Sequence, residues 1–219
     1  MTGTARAAEE GLRERKKRQT RQHISDIATG LFLERGFEAV TIAEIAEAAE
    51  VSVNTVYNYF PAKEDLFFDR QEEKVQHLSR VIEAREVGES AARAVLRDLR
   101  GSLEEGTSDG LRPEFRRFMR VIRESAALTA RVTVIHELIC HEVDATLRRE
   151  TGAGPDDPLP RLVASQLSWV ASVVHSSVIR LIAAGRDPED VAREVLGRLD
   201  LVEAMLGELT LNYAVKNTP

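Results

Sequence analysis

A single cysteine, Cys140, occurs in 219 residues, which excludes an internal disulfide framework and suits a reducing cytosol. No uninterrupted apolar run approaches the roughly 18 residues that a membrane helix needs, and the charged N-terminus has no apolar signal region. The expected setting is therefore the cytoplasm, with no membrane partner. Aromatic residues make up only 5% of the chain. The net charge of −6 argues against polyanion binding by the molecule as a whole, though not by a local patch. Walker loop, GxSxG elbow and dinucleotide fingerprint are all missing, as are strand alternation and internal repeats.

What is present is helical periodicity. Ile24, Ile27, Ala28, Leu31 and Phe32 fall at i, i+3, i+4, i+7 and i+8, one apolar stripe of a first helix. Gly36 behind Arg35 reads as its stop. Thr41-Ile-Ala-Glu44 reads as a capping box that opens a second, short helix carrying Ile42, Ile45, Ala46 and Ala49. Ser52 is the expected N-cap of a third helix, with Val53, Val56 and Phe60 facing inward and Pro61 ending it. These three helices, of roughly 20, 8 and 8 residues, are spaced as a helix-turn-helix. Ahead of them, from Leu12 to His23, six basic residues (Arg13, Arg15, Lys16, Lys17, Arg18, Arg21) face the single acid Glu14.

The third helix concentrates scarce residue types. Tyr57, Tyr59 and Phe60 interleave with Asn54, Thr55 and Asn58 in the stretch VSVNTVYNYFPAKEDLF. Asn pairs with adenine in bidentate fashion, Thr offers a hydroxyl and a methyl, and Tyr hydroxyls reach phosphates. An outward face of Asn54, Thr55, Tyr57, Asn58 and Tyr59 therefore suits the major groove, with Phe60 anchoring inward. The marks LFLERGFEAVT, IAEAAEVS, TVYNYF and PAKEDLF, between Thr20 and Phe67, resemble the DNA-binding domain of the tetracycline-repressor (TetR) family. Ala62 departs from the serine that many relatives carry, which weakens the expected cap of the fourth helix.

The resemblance implies an all-α regulator. A basic flexible arm (1–19) precedes a helix-turn-helix DNA-binding domain (20–67) and a larger helical ligand-binding and dimerisation domain (68–219). It implies a homodimer, usually a repressor, on an inverted-repeat DNA operator, released by a small-molecule effector and needing no cofactor. It adds Lys63, Thr41 and the neighbouring Ser52 to the DNA-facing set, and makes Arg18 and Arg21 part of an arm that reaches the backbone. Acids slightly outnumber bases over residues 1–70, so attraction depends on placement, with Glu44, Glu47 and Glu50 turned away.

Beyond residue 70, a long fourth helix is expected from about Ala62 to Val87. Further helices break near Gly88, Gly106–Pro113, Ser125, Gly152–Pro160 and Gly185–Pro188. The last two carry seams at spacings of three and four, including Val174, Val178, Leu181, Leu199, Val202 and Leu206. By the resemblance those seams form a four-helix dimer interface; burial within one subunit is the competing reading. The effector pocket implied by the resemblance draws on Phe115, Phe118, Met119, Ile122, Val132, Ile135, His136, Ile139, Trp169 and Val173. Its expected occupant is an acyl-CoA-like or other large apolar molecule.

HELICHE, from His136 to Glu142, superficially matches the zinc-protease pattern H-E-x-x-H. Its histidines are five apart, so a regular helix turns them about 140° from each other and they cannot share one metal. His136 with Cys140, or Glu137 with His141 and Asp144, are properly spaced but lack an evident remaining ligand set. A helical metalloenzyme is therefore the minor alternative, alongside a DNA-binding regulator without effector. The expectation is no enzyme and no metal.

Overall fold

The computed structural model describes the backbone of residues 3–69, 71–106, 108 and 113–217, and their side chains apart from 3–10, 12, 113 and 114. Among the described residues there are eleven helices and no strand. They are α1 (Gly3–Arg35), α2 (Ile42–Ala48), α3 (Val53–Tyr59), α4 (Lys63–Phe67), α5 (Gln71–Glu83) and α6 (Ala91–Glu104). There follow α7 (Pro113–Glu124), α8 (Ala126–Thr151), α9 (Leu159–Ala183), α10 (Pro188–Met205) and α11 (Glu208–Leu211). Two compact units result: residues 1–69 with 120–129, and residues 70–119 with 130–219.

In the first unit, Ile24, Ala28 and Phe32 of α1 are fully buried, and Gly36 stops the helix at φ +85°. The Gly36 N–H returns to the Phe32 carbonyl at 2.9 Å. The Thr41 hydroxyl accepts from the Glu44 amide at 3.2 Å, and the Thr41 amide donates to Glu44 Oε2 at 2.8 Å, completing the capping box. Between α2 and α3 the chain turns through Glu50 in the left-handed region, φ 54°. Ser52 caps α3 by accepting from the Thr55 amide at 3.0 Å. Pro61 follows an extended Phe60 (φ −135°, ψ 96°), which ends α3.

Four phenylalanines, Phe32, Phe37, Phe60 and Phe67, are buried in this unit's core. Phe32, Phe37 and Phe67 form a triangle with ring centroids 5.0 to 6.4 Å apart. Such pairs contribute about 0.5–1.5 kcal/mol each beyond simple burial. Val56 and Phe60 fix α3 from below. Val121, Ile122 and Leu128 add buried side chains from residues 120–129. There Ser125 accepts from the Leu128 amide at 3.3 Å and donates to Glu38 Oε1 at 2.6 Å.

The second unit packs α9 on α10, α10 on α6, α5 on α6 and α6 on α9. Its core includes Leu78, Ile82, Val95, Leu99, Leu103, Val143, Leu147, Leu167, Val170, Val195 and Leu199. Arg85 is buried inside this unit. Its guanidinium donates to the carbonyls of Ile82, Glu89 (3.2 Å) and Ala214 (2.8 Å) and pairs with Glu150 at 2.5 Å. Nearby, two backbone bonds hold the C-terminal segment to the α5–α6 turn: Gly88 N–H to Lys216 O and Lys216 N–H to Glu89 O, both 2.9 Å.

Five expectations change. The first helix is longer than the expected 20 residues: α1 spans 33 and takes in the basic segment, with no proline to interrupt it. The long fourth helix is divided into α4 and α5, with Phe68 leaving helical geometry at φ −107°, ψ 35°. Val53 is not inward; at the first position of α3 it is 39% exposed. The seam residues Val174, Val178, Leu199 and Val202 are buried within the subunit, and Leu181 and Leu206 pack against the same core. Val174, Val178, Leu199 and Val202 are thus covered within the subunit, as the competing reading has it, while Leu181 and Leu206 stay half-buried. Finally, α9 is long and apolar enough to cross a membrane by length and composition. Yet Val163, Leu167, Val170, Val174, Val178 and Ile182 recur at three and four and are buried, as in a core helix.

Candidate nucleic-acid interface

The surface of α3 is assembled from its caps and anchors. With Val56 and Phe60 buried, Asn54, Asn58 and Tyr57 (51% exposed) stand outward. Thr55 is turned aside, its hydroxyl 2.8 Å from Ser52 Oγ, and Tyr59 is half-buried. Every side chain of α3 is uncharged and its first turn lacks acids, unlike α2 and α4. Polar, neutral side chains that bury nothing suit hydrogen bonding to base edges.

Beside α3 lies a cleft of about 230 Å³ lined by Glu14, Lys17, Arg18 and Arg21 of α1 and by Asn58 and Tyr59. Lys17 and Arg18 are exposed and have no ion-pair partner among the described residues. Arg21 differs from the expectation. Its Nε pairs with Asp69 at 2.6 Å, its Nη1 donates to the Tyr59 carbonyl at 2.8 Å, and its guanidinium lies 4.4 Å from the Phe60 ring centroid. These contacts make Arg21 a brace for the end of α3 rather than a free cation.

Lys63 is committed in the same way. Its Nζ donates to the Phe37 carbonyl at 2.6 Å and sits 4.3 Å from the Phe37 ring centroid. Burial pushes its pKa below the usual lysine value. Thr41 and Ser52 are exposed, and both hydroxyls are engaged in capping. Glu44 is held by Arg35 (2.6 Å) and by the amide and hydroxyl of Thr41, which together lower its pKa to about 2. At α4, Ala62 gives no side-chain cap, but its amide donates to Asp65 at 3.0 Å.

Ile122 belongs to the first unit. In the second, Phe115 and Phe118 stack at 5.6 Å, Met119, Val132, Ile139 and Val173 are half-buried, and Ile135 is buried. His136 and Trp169 are exposed, so neither lines an interior, because both fall on the outer faces of α8 and α9. A groove of about 410 Å³ that sequence reasoning missed lies over α6, with Arg93, Arg97 and Arg100 above Leu96 and Gly101. Arg97 grips Glu89 through two bonds, and Arg100 pairs with Asp200 and Glu203, so its charge is largely matched internally. In HELICHE, His136, Glu137 and His141 are exposed while Cys140 is buried 3.4 Å from Ser165 Oγ. Among the described residues no three His, Cys, Asp or Glu side chains cluster as metal ligands.

Comparison with known proteins agrees with this geometry. Residues 24–69 match the model of the family described as bacterial regulatory proteins, tetR family. The chain is 30% identical over 172 residues to the HTH-type transcriptional regulator TcmR of Streptomyces glaucescens, covering 75% of each chain. Among solved structures, a SmeT–triclosan complex aligns with a TM-score of 0.56 at 17% identity, over 92% of this chain and 98% of that one. NalD of Pseudomonas aeruginosa, the secondary repressor of the MexAB-OprM efflux pump, aligns at 0.52 and 18% identity, over 86% and 97%. The cover of TcmR, together with the helix-turn-helix match, shows that this chain belongs to the TetR family of helix-turn-helix transcriptional regulators and is not an enzyme.

Proposed function

We propose that the protein represses transcription in the cytoplasm as a homodimer on an inverted-repeat operator and leaves the DNA when a small apolar effector binds. One observation carries the DNA-reading part. Asn54, Tyr57 and Asn58 stand outward on an uncharged helix whose other side is locked by Val56 and Phe60. Lys17 and Arg18 supply backbone attraction beside it, while Glu44 is neutralised locally by Arg35.

The dimer reading now rests on a different face from the seam. Leu162 and Trp169 of α9, Leu201 and Met205 of α10, and Leu209 of α11 are all exposed large apolar side chains. A C2 interface would cover them with their own symmetry mates. The effector reading is supported by buried polar atoms in the second unit: Gln71 Oε1, Ser79 Oγ and Ser168 Oγ have no hydrogen-bond partner among the described residues. The SmeT structure holds triclosan on the same fold.

Selection of bound duplexes from a random DNA pool by the full-length protein tests the reading. The expected result is enrichment of an inverted repeat whose half-sites lie one helical turn, roughly 34–36 Å, apart. A pool that stays random would overturn the regulator's operator reading, and enrichment of single half-sites would overturn the dimer. A thermal-shift screen of apolar compounds tests the effector, since a ligand of the native state raises the melting temperature by mass action. Hits that leave operator affinity unchanged would argue for a regulator without effector.

A further inference from the structure

We infer that Val53 is a base-reading residue that recognises the C5-methyl group of a thymine in each operator half-site. The inference rests on the DNA-reading role of α3 proposed above and names one chemical feature of its target.

Three observations lead there. Val53 opens α3 with its side chain 39% exposed, although the sequence pattern places it in the core. At 100° per residue it shares an arc of about 140° with Asn54, Tyr57 and Asn58, the outward residues of the same helix. Of the other residues of α3 with methyl groups, Val56 is buried, and Thr55 lies off this arc with its hydroxyl bound to Ser52. The apolar element of the reading face is therefore Val53, with the Tyr57 ring one turn further on.

Local structure does not account for a valine at this position. A β-branched residue lowers helix propensity, and the start of a helix favours small, acidic or proline residues. At 39% exposure the side chain forfeits part of the burial that would justify it in a core. Valine has no donor or acceptor, so it cannot bind phosphate or a polar base edge. Of the groups displayed in the major groove, only the thymine methyl is apolar. Asn54 and Asn58, which lie beyond Tyr57 on the same arc, carry the amide geometry for adenine. The face as a whole thus fits A·T-containing steps.

The test uses the operator recovered by selection with the full-length protein, and replaces its thymines one at a time by deoxyuridine. This removes a methyl and keeps base pairing. One thymine in each half-site is expected to lower wild-type affinity about fourfold when its methyl is lost, the worth of one buried carbon. In Val53→Ala the same replacement is expected to have no effect, so the two changes are non-additive. Val53→Thr, which keeps the branched shape and one methyl, is expected to retain part of the uridine penalty. Equal uridine penalties in wild type and Val53→Ala, or no penalty at any thymine, would overturn the role of Val53 while leaving the operator intact. Failure to recover any preferred sequence would instead overturn the DNA-reading proposal on which it rests.

Discussion

Lys63 and Lys17, two basic residues of the unit that holds α3, are held differently. Lys63 is partly desolvated, bonded to the Phe37 carbonyl and stacked over an aromatic ring. Its removal is expected to cost about 1–2 kcal/mol of stability, measurable by urea denaturation, and to leave the salt dependence of DNA binding nearly unchanged. Lys17 is exposed and unpaired among the described residues. Lys17→Ala and Arg18→Ala are each expected to weaken binding to all sequences alike and to reduce the slope of log affinity against log salt by about 1. Fluorescence-anisotropy titrations across a salt series check both statements. Glu44 sets a pH dependence at the same scale. Folded, its carboxyl stays ionised to about pH 2, whereas its ordinary value is 4.5. The unfolded chain therefore takes up this proton first, and the stability that Glu44 contributes is complete above pH 4.5 and lost as pH falls toward 2. Glu44→Gln is expected to flatten that part of the curve of urea midpoint against pH.

At the level of elements, the first unit was largely legible because its signals are local. Gly36, the Thr41–Glu44 box, the Ser52 cap and Pro61 each act through bonds within a few residues. What the sequence does not show is non-local: the bond of Lys63 to the Phe37 carbonyl, and those of Arg21 to Asp69 and the Tyr59 carbonyl. Val53 satisfies an i, i+3 pattern with Val56, but a seven-residue helix has too few turns for periodicity to fix its orientation. The α9 and α10 stripes were correctly spaced, yet spacing cannot say whether the partner is the same subunit or another. The α2–α3 turn offers a test of local reasoning. Glu50 holds φ 54° where a side chain is strained, so Glu50→Gly is expected to stabilise the fold by about 0.5–1 kcal/mol. Thermal or urea unfolding measures this; a loss of stability would show that the turn carries no such strain.

For the whole molecule, the internal seam and the exposed apolar face have separable consequences. The core of the second unit closes through Val174, Val178, Val195 and Leu199 without help from a second chain. Its packing is reinforced by Arg85, whose guanidinium ties α5, the α5–α6 turn and the C-terminal segment together. Changes on the outer face should therefore spare the fold of each subunit and act on association alone. Trp169 is 48% and Met205 73% exposed, so charges placed there meet water in the monomer and, in the proposed dimer, would meet an apolar surface. Trp169→Glu with Met205→Glu is expected to shift sedimentation from dimer to monomer at micromolar concentration, with the helical circular-dichroism spectrum retained. Because an operator with two half-sites draws affinity from two linked reading heads, the same variant is expected to lose one hundredfold or more on the full repeat, on the order of the avidity gained by linkage. Its affinity for a single half-site should not change. A variant that remains dimeric would place the interface elsewhere, and one that is monomeric yet binds the full repeat at wild-type strength would remove dimerisation from the mechanism.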